Sequence, residues 1–447
     1  MRRRPLPPPQ VLALGMAGVI LVGTLLLVSP WAAADGVSIG PLAALFTATS
    51  AVCVTGLIVV DTPVALSGFG QAVLLLLIQV GGLGYMTMST VIVFALGRRL
   101  SISDGLTLQA SFNLESRRDL LQFTLTVLKL TLVFELVGAL VLTARWWGEF
   151  GLAGAAWQGV FHAVSAFNNA GFSLFSTSLV EWRGDPVVNL TVMALVVSGG
   201  IGYLVLTELL RYRRERRLSL HTRFVLILTA ALVTIGTVGF FLTERGNPAT
   251  LGALPAGDAW LTALFQSVTT RTAGFNSIDI GQLRPAALFL MLAFMFIGGA
   301  PGGTAGGVKV STFGVTVLAL WATIRGARDA TLLGRRLPVD LVARSFFICL
   351  IGFLALNVGV GALLVFESRE LLPTLVETTS AFGTVGLSMG SPGSPLSLSG
   401  SYSAFGQVLI CVLMFTGRIG PLTLAFALAG RRQPPRVRYP EERVLIG

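Results

Sequence analysis

Apolar positions in this chain fall in long unbroken runs rather than in alternating or helically spaced stripes. The runs at 11–31, 187–210 and 224–242 have the length of membrane spans, for which about 20 consecutive apolar residues suffice. Between the long runs lie shorter ones that cannot cross a bilayer, each followed by a loop of small residues. One unit then recurs four times: span, short segment, loop, span. The paired spans fall near 11–31 and 69–97, 119–144 and 187–210, 222–243 and 286–324, and 341–366 and 403–429. The short segments lie at 41–53, 156–168, 258–271 and 371–383. The expected fold is an all-α integral membrane protein of eight transmembrane helices and four half-helices around a pseudo-fourfold pore. The expected division of the chain is 1–97, 98–211, 212–325 and 326–447.

The loops carry the candidate chemistry. Ala51-Val52-Cys53-Val54-Thr55-Gly56-Leu57 is echoed by Ala166-Phe167-Asn168-Asn169-Ala170-Gly171-Phe172. Two further echoes are Thr269-Thr270-Arg271-Thr272-Ala273-Gly274-Phe275 and Ala381-Phe382-Gly383-Thr384-Val385-Gly386-Leu387. Four copies of one loop can surround one axis. Irregular backbone at membrane depth is tolerated only where it lines a protein cavity or pore. Glycine permits the dihedral angles that turn carbonyls inward, where they replace an ion's water. The candidate cation ligands are therefore Val54, Thr55 and Gly56; Asn169, Ala170 and Gly171; Thr272, Ala273 and Gly274; and Thr384, Val385 and Gly386. A half-helix ending at such a loop adds the partial negative charge of its C-terminus. Asp61 and Asp279 follow the first and third loops and are candidates for an acidic outer rim, with plain loop residues as the alternative. Arg271 is expected to turn away from the ion path and brace its loop through a carboxylate or backbone oxygens, with Glu377 as one candidate partner.

The second spans repeat as well. Phe69-Gly70-Gln71 precedes Gly81-Gly82-Leu83-Gly84 as Phe405-Gly406-Gln407 precedes Gly417-Arg418-Ile419-Gly420. The matching positions elsewhere are Gly199-Gly200-Ile201-Gly202 and Gly298-Gly299-Ala300-Pro301, and recurring Gly at one depth permits close helix packing. In the third unit the run continues Gly302-Gly303-Thr304-Ala305-Gly306-Gly307-Val308-Lys309 and cannot stay helical. It lacks the spacing and the preceding strand of a phosphate loop. An intramembrane gate fits better, formed by Gly298, Gly299, Gly302, Gly303, Thr304, Gly306, Gly307 and Lys309. Arg418 occupies the position of Gly82, Gly200 and Gly299, where a charge costs at least a few kcal/mol. Either it ties helices together, or it stands under the loops, repels a cation and hydrogen-bonds the Gly-rich segment.

Composition narrows the class. Hydrophobic residues make up 53% and charged residues 12%, with mean hydropathy +0.79, which excludes a soluble domain. The net charge of +11 does not point to nucleic acid. Arginines cluster at 2–4, 98–118, 211–223, 325–344 and 431–443, as the positive-inside rule expects when both termini are cytoplasmic. The basic N-terminus and apolar run resemble a secretory signal, but 11–31 exceeds a signal core of about 7–15 residues. A retained first helix is expected. Cys53, Cys349 and Cys411 show no metal or disulfide spacing, and His162 and His221 no ligand motif. Glu135, Lys129 and Glu208 share no motif. No catalytic set recurs at membrane depth, so an enzyme is not expected. A carrier with inverted repeats is disfavoured because all four units share one orientation. Channel-like flux and ion-coupled symport both remain open.

These four loops, the Gly-rich break and Arg418 together resemble the Trk/Ktr/HKT potassium transporter superfamily over nearly the whole chain, and most of all its bacterial KtrB branch. Two extra N-terminal spans of the TrkH branch have no counterpart. The resemblance implies four M1–P–M2 units, filter glycines at Gly56, Gly171, Gly274 and Gly386, an intramembrane gate at 298–309 and a pore arginine at Arg418. Glycine at Gly56, where some sodium-preferring plant relatives carry serine, implies potassium selectivity. The resemblance also implies a homodimer in the bacterial inner membrane on a cytoplasmic RCK-type, KtrA-like nucleotide-binding ring, with sodium dependence in some members. Nucleotide would bind the partner subunit rather than this chain, whose cargo would be K+, joined by Na+ under ion-coupled symport.

Overall fold

A computed structural model describes residues 8–84, 117–390, 394–420 and 423–424. The arginines at 2–4, 98–99 and 431–443, and the expected boundary at 97/98, lie outside these residues. The helices are α1 (Pro8–Val28), α2 (Pro41–Val52), α3 (Gly68–Leu83), α4 (Arg117–Phe167), α5 (Pro186–Gly200), α6 (Tyr203–Glu215) and α7 (Leu220–Glu244). They continue with α8 (Ala256–Thr269), α9 (Pro285–Phe296), α10 (Val310–Ile324), α11 (Val339–Glu367), α12 (Leu371–Gly383) and α13 (Ala404–Ile419). One antiparallel hairpin, β1 (Thr331–Leu332) and β2 (Arg335–Arg336), sits between α10 and α11. Among the described residues the fold is otherwise helical, as expected.

Local chemistry explains the helix starts. Pro41, Pro186 and Pro285 occupy first-turn positions, where a missing N–H costs nothing. The repeated Phe-Gly-Gln motif is a cap: Ser67 accepts from Gly70 N at 3.1 Å and Ser403 from Gly406 N at 3.4 Å. In both copies the glutamine then donates back to a carbonyl, Gln71 to Leu66 O and Gln407 to Tyr402 O.

Among the described residues, four helices are long and apolar enough to cross a membrane: Pro9–Val28, Gln122–Phe167, Leu220–Glu244 and Val339–Glu367. They begin the four expected repeats. In the second repeat the span and the half-helix form one run, α4, broken at Gly151 with φ 66°. Outward side chains such as Leu25, 74% exposed, and Phe289, 75% exposed, suit lipid contact rather than water.

The second span of the second repeat differs from expectation, because it is not continuous, whereas that of the third breaks at the Gly-rich run as expected. The segment expected at 187–210 is two helices, α5 and α6, bent by 104° at Ile201–Gly202. The segment expected at 286–324 is α9 and α10, joined by non-helical backbone from Ile297 to Lys309. Helices α3 and α13 end at the matching depth, before Gly84 (φ 79°) and Gly420 (φ 91°). Gly202, also at φ 91°, completes the pattern. The repeated glycines thus do more than admit close packing. In the first, second and fourth sets the last glycine takes a left-handed φ that L side chains avoid, and the helix stops there.

The repeats close into a ring. Helix α3 packs on α4, α5 on α8, α9 on α12, and α13 on α2. The ends of the short helices α2, α8 and α12, and of α4, therefore meet near one axis.

Candidate ion pathway

Each short helix ends in buried hydroxyl-rich turns and delivers one loop to that axis. The four loops share a backbone signature. Gly56, Gly171, Gly274 and Gly386 have φ of 92°, 71°, 80° and 94°. Two residues earlier, Val54, Asn169, Thr272 and Thr384 have φ of 55°, 58°, 69° and 51°. Four non-glycine residues in the left-handed region at equivalent places point to a built site rather than accidental strain.

The glycines meet in cyclic order. A Cβ placed on Gly56 would lie 2.5 Å from Ala170 O, on Gly171 2.9 Å from Ala273 O, and on Gly274 2.5 Å from Val385 O. On Gly386 it would strike Thr55 O, which closes the ring. Only glycine backbone fits, so the available ligands are neutral carbonyl oxygens. The hydroxyls of Thr55, Thr272 and Thr384 add to them, being buried and without a partner among the described residues. Neutral oxygens around a narrow axis suit a monovalent cation better than a divalent one, which favours carboxylates.

Hydroxyls in the last turn of each short helix hold these loops. Ser50 Oγ accepts from Gly56 N at 3.1 Å, and Ser380 Oγ from Gly386 N at 2.9 Å. Ser165 Oγ donates to Phe172 O at 2.7 Å, and Thr269 Oγ1 to Phe275 O at 2.5 Å. The sequence reading missed all four. The available signal was a hydroxyl five or six positions before each repeated glycine.

On one side of the ring opens a cavity of about 390 Å³ lined by Asp61, Asp279, Gly171, Gly386, Ser176 and Asn276, among others. Both expected rim carboxylates therefore reach it. Asp61 Oδ2 accepts from Ser176 Oγ at 2.7 Å and so links the first and second loops. Asp279 instead accepts from Gly281 N at 2.9 Å and caps a short 3-10 turn.

On the other side, the Gly-rich segment lies under the ring. Thr304 N donates to Gly199 O at 3.1 Å, Ala300 N to Gly200 O at 2.8 Å, and Tyr203 N to Gly302 O at 3.0 Å. Thr304 Oγ1 donates to Phe167 O at 3.2 Å. Gly306 packs against the Thr384 side chain with no room for a Cβ. The other second-span glycines seal the short-helix ends, Gly81 against Val52 O, Gly199 against Phe167 O and Gly417 against Phe382 O.

Three cationic side chains hold this segment. Arg418 donates to Thr304 O through Nη1 and to Gly81 O through Nη2, with Gly82 O at 3.4 Å. It thus bridges the fourth repeat, the first repeat and the Gly-rich segment. Lys309 Nζ donates to Ala305 O at 2.5 Å. Arg271 Nη2 donates to Gly298 O at 3.3 Å. Arg271 does turn to a backbone oxygen, and the candidate partner Glu377 bonds elsewhere. Glu377 accepts from Ser388 Oγ at 2.6 Å and from Ser399 N at 2.8 Å, and so orders the loop after Gly386. His162, buried against Trp146, Phe175 and Ser173, is part of the packing.

The TrkH family, described as cation transport protein, matches residues 19–433. The chain is 38% identical over 440 residues to the Ktr system potassium uptake protein B of Bacillus subtilis, covering 98% of this chain and 97% of that one. It is 36% identical over 455 residues to the potassium/sodium uptake protein NtpJ of Enterococcus hirae, covering 100% and 98%. The crystal structure of the potassium transporter TrkH from Vibrio parahaemolyticus shares the fold, with TM-score 0.74 at 19% identity over 96% of this chain and 86% of that one.

Proposed function

The chain belongs to the TrkH cation transport family and is a multi-pass membrane transporter rather than an enzyme, and from that premise we propose that it takes up potassium through the ring of four glycine loops. The observation that carries this reading is the cyclic approach of Gly56, Gly171, Gly274 and Gly386, each against the carbonyl preceding the next glycine. Potassium, as cargo, would exchange its water for the carbonyls of these loops and the free threonine hydroxyls. The four division units, 1–97, 98–211, 212–325 and 326–447, would each contribute one loop. Asp61 would raise the local cation concentration in the outer cavity.

The segment 298–309 would be the gate. It lies across the inner side of the ring, held by Arg418, Lys309 and Arg271. The positive charge of Arg418 would also lower cation occupancy there. The basic clusters support cytoplasmic termini. A homodimer on a cytoplasmic nucleotide-binding ring is the assembly proposed for regulation, resting on the family resemblance alone. Coupling to sodium is the second reading, favoured by the Enterococcus hirae relative named for both ions.

Expression in a bacterium lacking its own potassium uptake tests the proposal. Growth at low external potassium should be rescued by the wild-type chain and lost when Gly171 and Gly274 are both changed to Asp. Measuring uptake with and without external sodium separates coupled from uncoupled transport. No rescue by a chain verified to be in the membrane would remove the reading.

A further inference from the structure

A buried carboxylate away from the ring has no role in the pathway described so far. Glu135 lies on α4 and is 7% exposed. None of the ion pairs among the described residues includes it. Its Oε1 accepts from Asn168 Nδ2 at 2.9 Å and its Oε2 from Gln79 Nε2 at 3.2 Å. A buried carboxylate without a cation is costly. An apolar side chain would hold α3 against α4 more cheaply.

Asn168 gives the carboxylate its meaning. It is the last residue before the left-handed Asn169 of the second loop. Its Nδ2 faces Gln79 Oε1 at 2.9 Å and Val164 O at 2.9 Å as well as Glu135. Two amide hydrogens thus confront three acceptors, while Oδ1 is buried with no partner. Oδ1 presses on Gly82, where a Cβ has no room. Oxygens on three sides force the NH2 end inward, and Glu135 is the strongest acceptor among them. Gln79 is on the same helix as Gly81, whose carbonyl receives Arg418. The cluster therefore joins the second loop to the helix end that Arg418 grips.

We propose that Glu135 is a positioning residue for cation discrimination: it fixes the Asn168 amide, and Asn168 fixes the start of the second filter loop. This rests on the filter reading above. Glutamine at 135 is not equivalent. One carboxylate oxygen becomes an NH2 that meets either Asn168 Nδ2 or Gln79 Nε2, donor against donor. The Asn168 amide must then turn, and the loop that follows it shifts.

The test is rubidium against sodium uptake by the full-length protein in liposomes, per folded molecule, for Glu135→Gln, Glu135→Leu and Asn168→Ala. Discrimination should fall by about three- to tenfold in both Glu135 variants, the size of one net hydrogen bond. Adding Glu135→Leu to Asn168→Ala should lower the ratio no further, because both act through one amide. A purely structural Glu135 would lower folded yield and leave the ratio at its wild-type value. That result in monodisperse Glu135→Gln protein overturns the inference, as do losses that add in the double variant. If Leu prevents folding, the Gln variant alone decides. Wild-type protein that fails to discriminate would remove the filter reading itself, an outcome visible before any variant is compared.

Discussion

At the scale of single residues, the proposed selectivity depends on atoms that are missing. Gly56 combines φ of 92° with a neighbouring carbonyl 2.5 Å from any Cβ it might carry. Serine there meets both backbone strain, of about 1–3 kcal/mol, and a steric conflict that displaces Ala170 O. If even 1.4 kcal/mol of that falls on the potassium-fitted geometry, discrimination drops by about tenfold. Gly56→Ser should therefore lower the rubidium-to-sodium uptake ratio by about that factor. An unchanged ratio in folded protein would show that the first loop does not coordinate the ion. Arg418 is the complementary case, a charge present where the other three repeats have glycine. Its bonds to Thr304 O and Gly81 O make it a tie, and on the proposed gating reading its charge is also an obstacle. Gln cannot span those acceptors and carries no charge. Arg418→Gln should raise maximal potassium flux per folded molecule, measured as initial uptake rate normalised to purified protein. A lower or equal rate at normal yield would reduce Arg418 to a helix tie.

At the scale of elements, the proposed gate is a broken helix whose pieces are bonded to the second repeat rather than to each other alone. Removing Gly302 and Gly303 should raise flux and lower the thermal midpoint together. The bonds from Tyr203 N to Gly302 O and from Thr304 N to Gly199 O would be disturbed, each with a net value of roughly 0.5–1.5 kcal/mol. Increased leak with an unchanged midpoint would mean that the segment merely fills space. Long apolar runs made the first helix of every repeat legible in the sequence, and the loop echoes made the four glycines legible. The breaks at Gly84, Gly202 and Gly420 were not, because glycine inside an apolar run signals packing as readily as termination. Only the left-handed φ distinguishes the two, and it has no signature in composition. The hydroxyl braces Ser50, Ser165, Thr269 and Ser380 were hidden for a related reason. Ser and Thr in an apolar helix commonly bond their own helix, as Thr49 does to Leu45 O at 2.7 Å, and nothing local shows that a neighbour bonds the next loop instead.

At the scale of the whole molecule, four similar units bury a polar ring that no single unit could stabilise. Each glycine loop is closed by the next, so the ring exists only when α3–α4, α5–α8, α9–α12 and α13–α2 are all packed. Fourfold recurrence is also why the function was readable from one sequence: a single small-residue loop is weak, and four at one depth are not. What repetition cannot reveal is how the repeats differ, and the differences include the elements proposed for control: the break at 297–309, Arg271 and Arg418. The central claim is that the ring discriminates among monovalent cations by backbone fit. The most direct test is competitive uptake by wild-type protein in liposomes, with rubidium as tracer and potassium or sodium as competitor at equal concentrations. Potassium should suppress tracer uptake at concentrations where sodium leaves it nearly unchanged, and sodium tracer alone should enter far more slowly than rubidium. Equal competition by the two ions, or equal entry of sodium and rubidium, would contradict the account.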